Sequence, residues 1–295
     1  MVKAAVCAAL IAVAALQSAA TEFVELDVVA LDRHGLPIRD LSSQDLEVKD
    51  TGRLVTIETF MPVAARGTVD EERSVVLLMD DMGVPSSGTT PMRQIGRLLL
   101  SPMRTVDEVS VVRLSRLRDE AYGDVESALE RIDQYHGGTV PYSSRETPVT
   151  VLKAVARIAE QVLPIEHRRK AVICLGLPSV CDVREPASAS TNEFRKAWAA
   201  AMSSAARANV SVYEVDPTGL THASGPSGLG LIRLTGGDVL RNSNDFAEAA
   251  NRIWREASHY YLLGYWGLPS EPGQLRTVDV KSIRHGVDIR ARRFR

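Results

Sequence analysis

The sequence has 295 residues, of which 45% are apolar and 24% are charged. A chain of this length and composition can bury a large hydrophobic core, which excludes a disordered protein and allows one large domain or two smaller ones. Lysine and arginine number 35 and aspartate and glutamate 37, which gives a net charge of −2. So balanced a charge gives no reason to expect nucleic acid or an anionic membrane as the partner.

Residues 1–20 have the layout of a secretory signal peptide. Lys3 precedes an unbroken apolar run over residues 4–16, and small residues follow. A membrane-spanning helix needs about 18 or more apolar residues, and this run is shorter. We therefore predict cleavage near Ala19 or Ala20 and a mature protein that is secreted or periplasmic and has no transmembrane segment.

Residues 21–65 are predicted to form the N-terminal half of a small antiparallel β module. Short runs of alternating apolar and polar residues are separated by the turn pairs His34-Gly35 and Thr51-Gly52. This period of two is typical of half-buried strands. A sheet of about forty residues rarely buries enough surface to be stable alone, so this half needs a partner.

Residues 72–258 alternate between apolar strands and amphipathic helices. The predicted strands cover residues 74–80, 108–115, 170–176 and 210–216. The first and third are nearly continuous in apolar residues, which is typical of strands covered on both faces. The alternation predicts an α/β fold, a doubly wound and mostly parallel sheet flanked by helices.

Five helices are predicted among these strands, and three of them carry a start signal. Thr90 and Pro91 open the first helix, with proline at its first position. The fourth begins with a capping-box spacing from Ser190 to Glu193. Asn244 or Asp245 is expected to cap the last helix.

Residues 259–295 return to the alternating pattern of a β structure. Val287, Ile289 and Ala291 fall on one face of the last stretch, and charged residues fall on the other. We predict that this tail pairs with residues 23–62, so that both chain ends form one β module and the α/β domain is inserted between its halves. The arginines from 290 to 295 are expected to be solvated charges on a strand edge, which discourage aggregation, rather than a polyanion site.

Cysteine usage leaves two interpretations open. Cys7 lies in the predicted signal peptide, which leaves Cys174 and Cys181 in the mature chain. They are a possible disulfide in an oxidising compartment. Alternatively, Cys174 is a buried strand residue and Cys181 a loop thiol, since spacing in the sequence does not fix the distance between two Cα atoms.

The ordered set of segments resembles the von Willebrand factor A domain, and more closely the VWFA-related exported proteins of acidobacteria. The resemblance runs from about residue 23 to the C-terminus and rests on the stretches "LDRHGLPIRDLSSQDLEVKDTGRLVTIETF", "VVLLMDD", "DEVSVVRLS", "RRKAVICLG", "NVSVYEVD", "LTGGDVL", "YYLLGYWG" and "VDIRARRFR". It implies a doubly wound sheet with a ligand site at the carboxyl ends of the central strands. Members of the family often hold Mg²⁺ there in a metal-ion-dependent adhesion site.

That metal site uses an Asp-x-Ser-x-Ser stretch, a threonine from a second loop and an aspartate from a third. Mg²⁺ requires six oxygen ligands in near-octahedral geometry. Here Asp80 occupies the first position, but Met82 and Val84 stand where the family has serines. Gly176 or Leu177 stands at the position of the third-loop aspartate. The resemblance therefore implies a degenerate site, and we predict no bound metal and no cofactor.

The remaining candidates are weaker. Thr147 or Thr150 matches the threonine position, although either is equally suited to cap a helix. A shifted register would use Asp81, Ser86 and Ser87 beside Asp80 as ligand-loop residues. For Asp80 itself we prefer a structural role, in which the carboxylate accepts hydrogen bonds from backbone N–H groups of the following loop.

No catalytic motif accompanies these residues. Met82 stands where aspartyl phosphoryl transfer needs its second acid, two residues after Asp80. We predict a non-enzymatic protein that recognises or adheres to a protein partner in the cell envelope or outside the cell, through loops at residues 80–90, 136–150, 176–190 and 217–230. The alternatives are an envelope assembly scaffold that acts through its β module and a divergent metal-dependent hydrolase that uses Asp80 and Asp81.

Overall fold

The computed structural model describes eleven segments of the chain, at residues 21–64, 73–103, 107–116, 123–138, 146–165, 169–177, 180–187, 190–221, 230–241, 243–269 and 274–295. The predicted signal peptide and residues 65–72 lie outside them, and the predicted domain limits stay predictions. Within the described segments, no helix is both long and apolar enough to cross a membrane.

Twelve strands and six helices are found in the described segments. The strands are β1 Phe23–Leu31, β2 Leu46–Asp50, β3 Arg53–Val55, β4 Thr59–Ala64, β5 Arg73–Met79, β6 Glu108–Arg113, β7 Arg169–Leu175, β8 Val210–Val215, β9 Val239–Leu240, β10 His259–Trp266, β11 Val278–Ser282 and β12 Asp288–Arg290. The helices are α1 Thr89–Leu100, α2 Val125–Asp133, α3 Thr147–Val162, α4 Asn192–Ala208, α5 Leu231–Leu234 and α6 Phe246–Ser258.

A five-stranded parallel sheet forms the centre of the protein, in the order β6-β5-β7-β8-β9. Alternate residues of β5 point to opposite layers of helices. Val76 and Leu78 pack with α3, α4 and α5 on one face, whereas Val75, Leu77 and Met79 pack with α1, α2 and α6 on the other. Every residue of β5 is buried, as the continuous apolar run predicted. The predicted α/β fold is confirmed.

The two chain ends form one antiparallel β module, as predicted. One of its sheets has the order β12-β1-β10-β4 and the other β11-β2-β3, so each combines N-terminal and C-terminal strands. Leu26 of β1 lies opposite Leu263 of β10, and Val48 of β2 lies opposite Val280 of β11. The inner faces of both sheets share one hydrophobic core. The α/β domain is therefore an insertion between two halves that fold together.

Two predicted helix starts need correction. Helix α1 begins at Thr89, so Pro91 is its third residue rather than its first. Proline is tolerated there because the first four N–H groups of a helix have no intrahelical partner. Thr191, not Ser190, caps α4, because its hydroxyl accepts the N–H of Phe194 at 3.2 Å. Of the two residues expected to cap α6, Asp245 does so.

The prediction that the arginines from 290 to 295 are solvated edge charges is wrong for Arg290, Arg292 and Arg295, whereas Arg293 is exposed. Arg292 donates to the carbonyl oxygen of Ala206 at the end of α4 and to that of Glu25 in β1, each at 2.7 Å. Arg295 donates from Nε to Oδ2 of the fully buried Asp50 at 2.8 Å. These side chains lie at seams between elements far apart in sequence, so their burial depends on tertiary contacts that local alternation does not report.

Arg290 joins the β module to the α/β domain. Its Nη1 atom lies 2.7 Å from Oε1 of Glu256 in α6 and 3.0 Å from Oδ2 of Asp238, just before β9. The side chains of Glu256 and Asp238 are 1% and 4% exposed. Burial raises the pKa of the Glu256 carboxyl, and Arg290 acts in the opposite direction. Arg252 of α6 contacts the same two carboxylates, so two arginines together compensate the two buried acids at the seam.

Replacing Arg290 with methionine should destabilise the protein strongly. The substitution keeps much of the apolar volume but removes one of the two arginines that contact both Glu256 and Asp238, and Arg252 remains. Breaking a buried ion pair typically costs about 3–5 kcal/mol of unfolding free energy, and the remaining arginine should keep the loss near the lower end of that range. Urea denaturation at neutral pH measures this loss. Arg284→Met is the matched control, since Arg284 pairs with Asp40 at the surface of the same module and surface pairs contribute little. Equal losses in the two variants would contradict this account.

Candidate functional site

The carboxyl ends of β5, β6, β7 and β8 meet at one edge of the central sheet, because these strands are parallel. The loops that follow β5, β7 and β8 begin there, and they correspond to the predicted stretches at residues 80–90, 176–190 and 217–230. The fourth predicted stretch, residues 136–150, leads into α3. Parts of these loops, residues 139–145, 178–179, 188–189 and 222–229, lie outside the described segments.

Asp80 is the first residue after β5, and its side chain is enclosed by the loop that it begins. The residue is 1% exposed. Its Oδ1 atom accepts the N–H of Gly83 at 2.7 Å and that of Met82 at 3.1 Å. These are the backbone contacts that the sequence analysis expected. Oδ2 has no hydrogen-bond partner in the described segments, and the N–H of Leu177 contributes an electrostatic attraction.

Two glycines close in on this carboxylate. A Cβ atom added to Gly176 would lie 2.8 Å from Cβ of Asp80, and one added to Gly83 would lie 2.6 Å from Oδ2. Carbon atoms that are not bonded pack at about 3.5–4.0 Å. Any side chain at position 176 would therefore collide with Asp80. The third-loop position is not merely without an aspartate; it has no room for one beside Asp80 in this packing.

The enclosure changes the acidity of Asp80. Burial raises the pKa of its carboxyl above the ordinary value of 3.8, and the N–H groups of Gly83 and Met82 oppose the rise. Desolvation, which disfavours the charged form of a buried carboxyl, is the largest of these effects. The carboxylate is therefore a destabilised charge that local N–H donors compensate in part.

Asp81 holds a neighbouring loop rather than facing solvent. The residue is 1% exposed, and its Oδ1 accepts the N–H of Ser115 at 2.9 Å. Its Oδ2 accepts the hydroxyl of the same serine. Ser115 lies just after β6, so Asp81 ties the loops of two adjacent strands together. The sequence analysis missed Ser115; the only signal was a hydroxyl residue at the end of a predicted strand.

The start of α1 is tied to the segment that follows α2. The Ser86 hydroxyl donates to the carbonyl oxygen of Gly137 at 3.3 Å, and the N–H of Gly137 donates to Oγ1 of Thr89 at 3.1 Å. Tyr135, fully buried, donates its hydroxyl to the backbone oxygen of Asp80 at 2.7 Å. Ser87, beside these contacts, is exposed.

The two candidate threonines lie at the start of α3, and neither caps it. Thr147 is the first residue of the helix, is 1% exposed, and has no hydrogen-bond partner for its hydroxyl in the described segments. Thr150 bonds to the carbonyl oxygen of Glu146 one turn earlier, at 3.1 Å. The helix has Glu146 in the cap position, without a side-chain cap.

The loop after β7 is fixed at two points. The structure joins Cys174 to Cys181, whose Cα atoms are 6.3 Å apart. Beyond the disulfide, Oε2 of Glu214 accepts the N–H groups of Cys181 and Asp182 at 3.2 and 2.8 Å. Glu214 is fully buried in β8, and its other oxygen contacts Arg241. The sequence analysis overlooked Glu214, although an acid within an apolar strand was a visible signal.

These donors do not fit a Mg²⁺ ion of the adhesion-site type. Met82 and Val84 supply no hard oxygen, and Gly176 supplies no side chain. One oxygen of Asp80 is already bonded to backbone N–H groups, and both oxygens of Asp81 are bonded to Ser115. Within the described segments no cluster of three or more histidine, cysteine, aspartate or glutamate residues could hold a metal.

Comparisons with known proteins give structural similarity only. No family model matches the sequence, and no curated protein matches it. Proximal thread matrix protein 1 from the mussel byssus has a TM-score of 0.44 and 9% identity, and the match covers 78% of this chain and 50% of the mussel protein. This chain therefore spans half of that protein's length.

Two further solved structures are similar over more of their own length. Manganese-loaded Plasmodium vivax TRAP protein has a TM-score of 0.36 and 12% identity, covering 79% of this chain and 96% of TRAP. The N-terminal domain of TFIIH p34 has a TM-score of 0.38 and 13% identity, covering 63% of this chain and 98% of that domain. Scores and identities this low carry no argument about function.

Asp80→Asn should become more stable relative to the native protein as the pH rises. Below pH 3.8 the carboxyl is protonated in both the folded and the unfolded chain, so it makes no pH-dependent difference. Above that value the unfolded chain ionises freely, whereas the folded chain resists because its pKa is raised. The native protein therefore loses stability until the pH passes the raised pKa, and the variant does not. Urea denaturation between pH 3.5 and 7.5 measures the difference.

Asp124→Asn is the control of opposite sign. Asp124 caps α2, and the N–H of Ser127 lowers the pKa of its carboxyl. That contribution to stability is present above pH 3.8 and is lost as the pH falls through the lowered pKa. The control variant should therefore be at its greatest disadvantage at neutral pH. If both variants change with pH in the same direction, the proposed environment of Asp80 is wrong.

Reduction of the Cys174–Cys181 bond should lower stability by about 2–3 kcal/mol, the loop-entropy value for a closed loop this short. Denaturation with and without dithiothreitol measures the loss. The double variant Cys174→Ala/Cys181→Ala should be insensitive to the reductant. Alkylation of the unreduced, unfolded protein should modify neither cysteine; two modified thiols would show that the bond is absent.

Proposed function

We propose that the protein recognises a protein partner through the loops at the carboxyl edge of its central sheet, without metal and without catalysis. The observation that carries the proposal is that both loop aspartates make hydrogen bonds that hold the loops in place. Asp80 bonds to its own loop and Asp81 bonds to the loop after β6. Because both carboxylates already make structural hydrogen bonds, the edge is suited to binding a partner rather than to catalysis.

Prior ordering of loops favours binding, because less conformational entropy is lost on association. Here the disulfide and Glu214 hold the loop after β7, and the contacts of Ser86 and Tyr135 hold the loops of α1 and α2. Leu220, just after β8, is 67% exposed. An exposed large apolar side chain on an ordered edge is a suitable contact for a partner.

We propose that the protein meets its partner after it has been exported. The signal-like residues 1–20 support a secreted or periplasmic location, and a disulfide between Cys174 and Cys181 suits an oxidising compartment. The resemblance to exported VWFA-related bacterial proteins supports adhesion or recognition in the cell envelope. In this proposal the edge descends from a cation pocket that has lost its hydroxyl ligands.

A second candidate function is that of an assembly scaffold acting through the β module. The observation that favours it is the exposure of apolar side chains on that module, with Leu54, Met61 and Trp266 at 64%, 55% and 56%. Such residues are candidates for a contact surface. The hydrolase alternative gains nothing from the structure, because the oxygens of Asp81 are bonded to Ser115 and Asp80 is enclosed.

A pair of leucine variants separates the two functions. Leu220→Arg places a charge on the carboxyl edge, and Leu54→Arg places the same charge on the β module at nearly equal exposure, 67% and 64%. The purified protein, coupled to resin, is used to capture partners from an envelope extract of the native source. We expect Leu220→Arg to reduce capture of the partner roughly tenfold or more, which corresponds to loss of one hot-spot contact.

Leu54→Arg should leave capture unchanged if the edge is the binding surface. The opposite pattern, with loss only in Leu54→Arg, would reject edge recognition and favour the scaffold. Thermal denaturation of both variants establishes that each is folded, which is expected because both side chains are exposed.

A further inference from the structure

A cavity in the β module lies apart from the loops of the carboxyl edge. It has a volume of about 420 Å³, and its described lining residues are Thr51, Arg53, Leu268, Pro269 and Arg276. We name this cavity the arginine pocket. Its volume falls within the range of roughly 300–1,000 Å³ that is typical of ligand pockets. The described lining contains two arginines and no carboxylate.

Arg53 brings an unused guanidinium to the pocket. It is the first residue of β3, and it is exposed. Among the described residues, its side chain has no hydrogen-bond or carboxylate partner. A guanidinium carries five N–H donors and stays charged at any physiological pH. Those donors are therefore available to an anion that enters the pocket.

Arg276, in contrast, is held in one position. Its Nε donates to Oγ1 of Thr51 and its Nη1 donates to the carbonyl oxygen of Pro269, each at 2.9 Å. Nη2 makes no hydrogen bond within the described segments. A guanidinium that is already fixed at two nitrogens loses little conformational entropy when its third nitrogen binds a ligand.

Thr51 has an unfavourable backbone conformation for its residue type. Thr51 and Gly52 form the turn between β2 and β3, and their φ angles are 50° and 80°. Such turns favour asparagine, aspartate or glycine, and a β-branched residue with positive φ is a strained exception. The Thr51 hydroxyl donates to Oδ1 of Asp50 at 3.0 Å while it accepts the Nε of Arg276. The hydroxyl therefore positions Arg276, which glycine could not do.

The acid nearest to these groups already has a closer cation. Asp50 is fully buried, and its Oδ2 accepts the Nε of Arg295 and the N–H of Leu268, each at 2.8 Å. Nε of Arg276 lies farther from this carboxylate, 4.0 Å from Oδ1. Asp50 therefore compensates the charge of Arg276 only in part, and the charge of Arg53 has no described carboxylate beside it.

We propose that the arginine pocket binds a small organic carboxylate. The free donors of Arg53 and Nη2 of Arg276 bind the carboxylate oxygens, because the fork of a guanidinium matches a planar carboxylate. The half-buried Leu268 and the exposed Pro269 contact the apolar part of the ligand. A monoanion suits the lining better than a dianion such as phosphate, because one of the two cations is already shared with Asp50. The site is independent of the recognition edge.

The probe is phenylacetate, a monoanion with a compact apolar group. Isothermal titration calorimetry of the purified protein at low ionic strength should show saturable one-site binding with a Kd of about 1 mM or tighter. Arg53→Gln should weaken this binding at least about tenfold, because charge-assisted hydrogen bonds are lost. The variant is expected to fold, since the side chain is exposed and has no described partner.

Thr51→Gly tests whether the threonine positions Arg276. Glycine relieves the backbone strain, which offsets the lost hydrogen bond to Asp50, so the midpoint of thermal denaturation should change little. Phenylacetate binding should nevertheless weaken several-fold, because Nε of Arg276 loses its partner. Unchanged binding in this variant would contradict the positioning role.

Three controls accompany these variants. Arg33→Gln removes an exposed arginine from another turn of the β module, and it should leave binding unchanged. Phenylacetamide, which has nearly the same shape without the charge, should not bind. Leu220→Arg should bind phenylacetate normally, so failure of the arginine pocket and failure of the recognition edge are told apart.

Three outcomes would overturn the proposal. The first is the absence of saturable phenylacetate binding at concentrations up to about 20 mM, far above the expected Kd. The second is an equal loss of affinity in Arg53→Gln and Arg33→Gln. The third is tighter binding of inorganic phosphate than of phenylacetate, abolished by Arg53→Gln, which would assign the pocket to small dianions.

Discussion

Glu256 and Asp238 lie buried at the seam between the central sheet and the β module. Both carboxylates contact two arginines, Arg290 of β12 and Arg252 of α6. The β module exists only when the first and last parts of the chain meet, and β12, which carries Arg290, pairs with β1. A buried charge without a partner is costly. The ion contact therefore makes the closure of the module and its attachment to α6 depend on each other.

The carboxyl edge of the central sheet uses an aspartate for structure at the place where open α/β sheets commonly bind ligands. Asp80 stands where an open α/β sheet presents its ligand groups, yet two glycines enclose the carboxylate and backbone N–H groups bind it. Its neighbour Asp81 joins two loops through Ser115. The described parts of this edge are therefore held by hydrogen bonds among their own loops.

Glu214 of β8 connects the loop after β7 with the residue that follows β9. One oxygen of Glu214 accepts the N–H of Asp182 in the disulfide loop, and the other contacts Arg241. Burial raises the pKa of the Glu214 carboxyl, against the attraction of Arg241. The same buried acid thus positions both the loop after β7 and the arginine after β9.

The sequence by itself determined the α/β class, the order of strands and helices, and the pairing of the two chain ends, because hydrophobic periodicity follows from which faces are buried. It also indicated that Asp80 would accept backbone N–H groups, since a carboxylate at a buried strand end needs local donors. Tertiary structure alone decided the fate of the terminal arginines, the partners of Asp81 and Glu214, and the collision that excludes a side chain at Gly176. Those features depend on distances between residues far apart in the chain, and local sequence patterns do not predict such distances.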